Sequence, residues 1–210
     1  METIAQSTRD WLDAQLATDF QIEKHNYSNQ DDVYKIRTSE KNFYLKIASA
    51  LQTERQNLLK IQPYIQVPHV ISFGRITDRD HLLLSEIPGN NLAELIEERS
   101  NIEIIRVFAD AIRKFHSLDI DKLFPGSPPG LVVTHGDMAL PNIIWSKSNS
   151  IGYIDLGKMS VGSPDIDLAD AIWSLQRNIG PDYGKVFLEE YGNVVMTKRL
   201  DEALKFRYSP

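Results

Sequence analysis

Two short stretches concentrate oxygen-bearing side chains of the kind that hold a hard cation. The first reads His135-Gly136-Asp137-Met138-Ala139-Leu140-Pro141-Asn142 and the second Asp155-Leu156-Gly157. Each follows an apolar run, 131–134 and 151–154, with the length and composition of a short strand, so the polar residues fall in loops at strand ends. Two carboxylates and a carboxamide presented from adjacent turns are the oxygen donors Mg²⁺ prefers. Pro141 stiffens the segment between Asp137 and Asn142 and limits how far apart they can point. A His-Gly-Asp tripeptide alone arises by accident in on the order of one chain in fifty of this length. Requiring the Asn at its offset and the later Asp-x-Gly lowers that to roughly one in ten thousand.

The segment HGDMALPNIIW followed by GYIDLG resembles the catalytic and metal loops of the aminoglycoside phosphotransferase family, small-molecule kinases related in fold to protein kinases. The catalytic loop is most similar to that of the 3′-hydroxyl kinases, and weaker resemblance extends from about residue 33 to 202. The resemblance implies an α+β, two-lobed protein-kinase-like fold. An N-terminal antiparallel sheet with one helix, residues 1–87, would bind nucleotide; a mainly helical C-terminal lobe, 88–210, would carry catalysis and substrate. The implied reaction moves the γ-phosphate of ATP, with Mg²⁺, to a hydroxyl of a small molecule of amino-sugar type. Asp137 would accept or orient the hydroxyl proton, Asn142 and Asp155 would hold the metal, and His135 and Asp167 would support the catalytic loop.

The elements that must position these residues follow from periodicity. Residues 7–16 read as an amphipathic helix with Trp11, Leu12 and Leu16 on one face. Strands are expected at 20–27, 33–37 and 43–48, with polar turns at 28–32 and 38–42. The first turn matches the family's phosphate-covering turn, yet it has no glycine and two carboxylates; Ser28 and the amides around it remain as candidate hydrogen-bond donors to phosphate. In the third strand Phe43, Leu45 and Ile47 share one face and Tyr44, Lys46 and Ala48 the other. Lys46 is either a solvent-edge lysine or the residue that reaches the nucleotide phosphates as the third-strand lysine of kinases does. Glu54 falls where its acidic partner would stand, and equally where a helix dipole favours an acid. That helix is expected to bury Leu58, Leu59 and Ile61 and to end at Pro63.

Two more strands, 70–73 and 82–86, should be joined by the charged turn at 78–80, and Ile87-Pro88-Gly89 then breaks the sheet. By resemblance, Ser85, Glu86 and Ile87 lie where backbone groups meet the adenine edge. Helices are expected at 91–99 and 102–118, the second with Ile105, Phe108, Ile112 and Phe115 at helical spacing. His116 reads as a helix-end histidine serving packing and the dipole. The Pro/Gly-rich stretch between Ile120 and Leu131 replaces a helical insertion that forms one wall of the substrate site in the antibiotic kinases. A helix from 165 to about 175 begins with three aspartates, and helices at 182–191 and 196–208 close the chain. Asp201 and Glu202 match an acidic pair that contacts the cationic sugar in aminoglycoside kinases, or form a solvated helix face.

Composition narrows the class. The 210 residues are 42% hydrophobic and 25% charged, enough for a sizeable core, and contain no cysteine, which excludes disulfides, thiolate metal sites and a Cys nucleophile. Net charge −6, with pI near 5.4, argues against nucleic acid as partner and permits a cationic substrate. No run has the apolar length of a membrane span or signal peptide, so a cytoplasmic enzyme, monomeric or dimeric, is expected. Two alternatives stay open: a nucleotide-binding module without transferase activity, and a kinase for another hydroxyl acceptor such as choline, homoserine or a glycated amine.

Overall fold

A computed structural model describes residues 4–25 and 32–208. Residues 28–31 of the expected phosphate turn, Ser28 among them, lie outside the described residues, and Asp32 opens a strand. The chain divides into two compact units, 1–62 with 67–87, and 63–66 with 88–210.

In the first unit α1 (Gln6–Leu16) precedes β1 (Phe20–Lys24), β2 (Asp32–Thr38) and β3 (Asn42–Ala48), followed by α2 (Gln52–Ile61), β4 (Val70–Ile76) and β5 (Arg79–Ser85). The strands form one antiparallel sheet in the order β1-β2-β3-β5-β4. Side chains alternate across it. Tyr34, Ile36, Leu45, Ile47 and Leu83 pack with Leu12 of α1 on one face. Lys46 therefore projects from the other face, where Glu54 of α2 meets it. Of the three apolar positions expected to be buried in α2, Leu58 and Ile61 are, but Leu59 is 41% exposed; Asn57, one helical turn after the buried Glu54, takes part in the buried face instead. β4 and β5 extend further than their apolar runs because Thr77 and Asp78, both at positive φ, make a two-residue turn that continues the ladder up to the Ile76–Arg79 pair.

In the second unit β6 (Asn90–Asn91) is followed by α3 (Asn101–His116), α4 (Ile120–Leu123), β7 (Val132–Thr134), β8 (Ile143–Trp145), β9 (Ile151–Tyr153) and β10 (Ser160–Gly162), then α5 (Asp165–Asn178), α6 (Gly184–Gly192) and α7 (Lys198–Tyr208). The helix expected at 91–99 is absent. Instead Asn90 and Asn91 pair with β8, and only a 3₁₀ segment, Glu94–Glu97, follows, held by reciprocal bonds between Asn91 and Glu94. α3 starts at a Ser100 cap that accepts the Glu103 amide, and it buries Ile105, Phe108, Ile112 and Phe115 completely. Phe108 meets Phe187 of α6, and Phe115 meets Tyr153 at 5.1 Å between ring centroids.

The two apolar runs that flank the candidate loops do form strands but do not pair with each other. β7 pairs with β10, whereas β9 pairs with β8, which pairs with β6. Among the described residues, no helix is long and apolar enough to cross a membrane.

The burial contrast in α2 is testable by chemical denaturation. Leu58→Ala is expected to cost about 2–5 kcal/mol and Leu59→Ala within about 0.5 kcal/mol, as for a buried and a surface leucine; equal costs would contradict the assignment.

Candidate active site

The loop after β7 is fixed from below by one carboxylate. Asp167, in the first turn of α5 and fully buried, accepts the His135 amide on Oδ2 at 2.8 Å and the Gly136 amide on Oδ1 at 2.9 Å. His116 on α3 adds a third contact, its Nε2 lying 3.0 Å from Oδ2. A fully buried carboxylate is tolerated when its lone pairs are filled in this way, and a helix N-terminus favours it further. Gly136 has φ +77°, and a Cβ there would lie 2.6 Å from the Lys158 carbonyl oxygen, so only glycine lets the two loops approach.

His135 ties the same loop to the next one. Its Nε2 lies 2.9 Å from the Ile154 carbonyl, which can only accept, so Nε2 carries the hydrogen. Burial depresses its pKa below the ordinary 6.5, opposed by the nearby Asp167 charge and the bond to Ile154. The imidazole is therefore a neutral strut. Leu140 N donates to Ser174 Oγ on α5 at 3.0 Å, pinning the far end of the loop.

These anchors set the three oxygen-bearing residues. Because Ile143 pairs with Tyr153, Asn142 and Asp155 stand at the same end of the β8–β9 hairpin, and the Ile154 amide donates to the Asn142 carbonyl at 3.1 Å. Asn142 Nδ2 donates to the Asp137 carbonyl at 2.8 Å, which orients the amide and leaves Oδ1 as the atom able to face a cation. Asp155 adopts the left-handed conformation, φ 62° and ψ 57°, rare outside glycine and found where backbone strain serves a site. Asp137 Oδ2 pairs with Lys158 at 3.0 Å. Lys158 was missed in the sequence; its position three residues after Asp155 was the available signal.

Among the described residues no group of three or more His, Cys, Asp or Glu could hold a metal. One carboxylate and one carboxamide nevertheless fit Mg²⁺, which keeps several waters and takes its remaining ligands from substrate phosphates.

In the first unit Lys46 is not at a solvent edge. Its side chain is 14% exposed and pairs at 2.7 Å with Glu54, itself 4% exposed. Glu86 at the end of β5 accepts Lys35 at 2.6 Å and Asn42 at 2.8 Å. Burial works against its charge, but those two donors hold it below the ordinary carboxylate value, and Lys35 is raised despite its own burial. The Glu86 side chain thus clamps strand β5 to the β2–β3 region, leaving backbone as the means by which 85–87 could meet a base. Ser85 bonds the His69 backbone through both its amide and its hydroxyl, and Ile87 is buried. On α7, Asp201 pairs with Lys205 and Glu202 with Lys198, each one helical turn away.

Residues 120–204, which hold every loop residue described above, match the phosphotransferase enzyme family. The chain is 26% identical to the aminoglycoside 3′-phosphotransferase of Niallia circulans, over 89% of this chain and 92% of that protein. Among solved structures it is similar to an aminoglycoside-3′-phosphotransferase of type VIII, with TM-score 0.76 and 18% identity over 96% of this chain and 98% of the other. It is also similar to an aminoglycoside phosphotransferase from Streptomyces rimosus in complex with ADP and streptomycin, with TM-score 0.75 and 20% identity over 97% and 98%. These likenesses establish the fold, the kinase-like one of the aminoglycoside phosphotransferases.

His135 carries a pH prediction. A histidine held neutral in the folded state binds fewer protons than the unfolded chain below pH 6.5, so stability is fully present above that pH and is lost as pH falls. One such group contributes a slope of up to about 1.4 kcal/mol per pH unit. His135→Gln, able to keep the bond to Ile154, should flatten the slope of unfolding free energy between pH 6.5 and 5, to which His81, also depressed by burial, contributes in the same direction. An unchanged slope would mean that folding does not alter proton binding at His135.

Proposed function

We propose that this chain transfers the γ-phosphoryl group of ATP to a hydroxyl of a small molecule, with an amino-sugar hydroxyl of the aminoglycoside type as the acceptor. The observation that carries the reading is the joint placement of Asp137, Asn142 and Asp155 on two loops bonded to each other through His135 and Ile154. The family match over 120–204 and the names of the relatives point to the same reaction. ADP in the Streptomyces rimosus structure supports ATP as donor.

The acceptor oxygen bonds to the γ-phosphorus as the bridging oxygen to ADP leaves, and the hydroxyl proton passes to Asp137 Oδ. Lys158 is poised on that carboxylate and restrains its orientation before the acceptor arrives. Asn142 and Asp155 would hold Mg²⁺, which supplies charge neutralisation to the phosphates when bound. Lys46, half-buried and oriented by Glu54, would serve the nucleotide phosphates, and the backbone at Ser85, Glu86 and Ile87 the base. On this reading 1–87 is the nucleotide-binding part and 88–210 the catalytic and substrate part. Ser28 would add a phosphate contact. Asp201 and Glu202 would meet a cationic sugar only by giving up their lysine partners, exposed pairs that solvent screens. The cytoplasm, where ATP is supplied, is the expected site of action.

A Mg·ATP transfer assay over amino sugars, choline, homoserine, glycated amines and neutral sugars tests this. Phosphorylation of an amino sugar is expected, with Asp137→Asn lowering kcat by about 10²- to 10⁴-fold. Transfer to another acceptor would change the substrate assignment. ATP-dependent thermal stabilisation without turnover would instead make the chain a nucleotide-binding module.

A further inference from the structure

The C-terminal end of α6 is latched to α3 at contacts the loop chemistry does not use. Arg106 pairs with Glu190 at 2.9 Å, and Arg113 donates to the Glu190 carbonyl. One residue on, the Tyr191 hydroxyl lies 2.8 Å from Nδ1 of His116. The other ring nitrogen of His116 reaches Asp167 Oδ2, the oxygen that also accepts the His135 amide. A continuous chain of hydrogen bonds thus runs from Tyr191 on α6 through His116 on α3 and Asp167 on α5 to the two amides that immediately precede Asp137.

The direction of each bond follows from its members. The carboxylate of Asp167 accepts, so His116 Nε2 must carry a hydrogen. In a neutral imidazole Nδ1 is then the acceptor, and the Tyr191 hydroxyl is its donor. Half-burial, with the nearby Asp167 charge, raises the Tyr191 phenol and keeps it protonated, as a donor must be. The rings meet edge to face at 5.9 Å, and Phe187 backs Tyr191 at 6.3 Å, so the hydroxyl has little freedom to turn away. Without that hydroxyl the imidazole could move its hydrogen to Nδ1 or rotate, and either change removes a donor from Asp167.

We propose that Tyr191 is a positioning residue for the catalytic loop: by donating to His116 it selects the tautomer that fills Asp167, and through Asp167 it sets where the backbone carries Asp137. The kinetic consequence rests on the phosphotransferase reading; the structural one does not. The other groups on α6 and α3 at this contact, Glu190, Arg106 and Arg113, fix the helix end, so a displacement of α6 would be transmitted to the loop.

Tyr191→Phe tests the proposal because it keeps the ring and removes only the hydroxyl. Native-state amide exchange should accelerate by about three- to tenfold at His135 and Gly136, the size expected for one lost hydrogen bond, while buried α5 amides such as that of Leu175 stay unchanged. In the transfer assay kcat should fall by a similar factor with KM for ATP unaltered. His116→Gln can donate to Asp167 without help from Tyr191, so adding Tyr191→Phe to it should cause no further change. Unaltered exchange at His135 and Gly136, or fully additive effects in the double variant, would overturn the relay. If the wild-type chain phosphorylates nothing in the panel, the functional reading fails while the exchange experiment still decides for or against the relay.

Discussion

A single buried carboxylate organises the loop that carries Asp137. Asp167 accepts hydrogen bonds from two consecutive backbone amides and from an imidazole, and each donor comes from a different place in the chain than Asp167 itself. Burial makes an ionised carboxylate costly unless such donors replace water, so the charge and its partners must assemble together. The first turn of α5 is a favourable seat for it because unpaired amides and the helix dipole converge there. Once that seat is taken, the path of the chain through His135 and Gly136 is determined, and Asp137 follows.

The second constraint is the bond between loops. His135 reaches the Ile154 carbonyl, and the Ile154 amide reaches the Asn142 carbonyl, so the residue before Asp155 is held from both sides. The register of the β8–β9 hairpin puts Asn142 beside that point. Asp155 itself holds a left-handed backbone, a strained conformation that persists where the neighbouring hydrogen bonds over-determine it. The backbone at Asn142 and the residue before Asp155 is thereby fixed by hydrogen bonds within the protein itself.

Much of this was legible in the residues. The loop pattern from His135 to Gly157 identified the candidate site, and the apolar spacing of Ile105, Phe108, Ile112 and Phe115 marked α3 as a core helix, because both depend on near neighbours in sequence. Strand pairing depends on distant ones and was not legible. β7 finds β10 rather than β9, and β6 with β8 exists only because Asn90 and Asn91 meet Ile144 and Trp145 across a long separation. That pairing also explains why 91–99 is not a helix. Leu59 looked like core because it is apolar and adjacent to Leu58, yet helical rotation points it outward. His116 reads on its own as a helix-end histidine, and nothing near it in sequence indicates that its ring joins Tyr191 to Asp167.

The claim that Asn142 and Asp155 converge on one divalent ion is tested most directly by electron paramagnetic resonance of Mn²⁺ titrated into the purified chain with a non-hydrolysable ATP analogue. One bound Mn²⁺ per chain that depends on the nucleotide is expected, with binding weakened by about tenfold or more in both Asp155→Asn and Asn142→Ala, at least the loss seen when groups merely supporting a ligand are removed. Nucleotide-dependent Mn²⁺ binding that is the same in the wild type and both variants would contradict it.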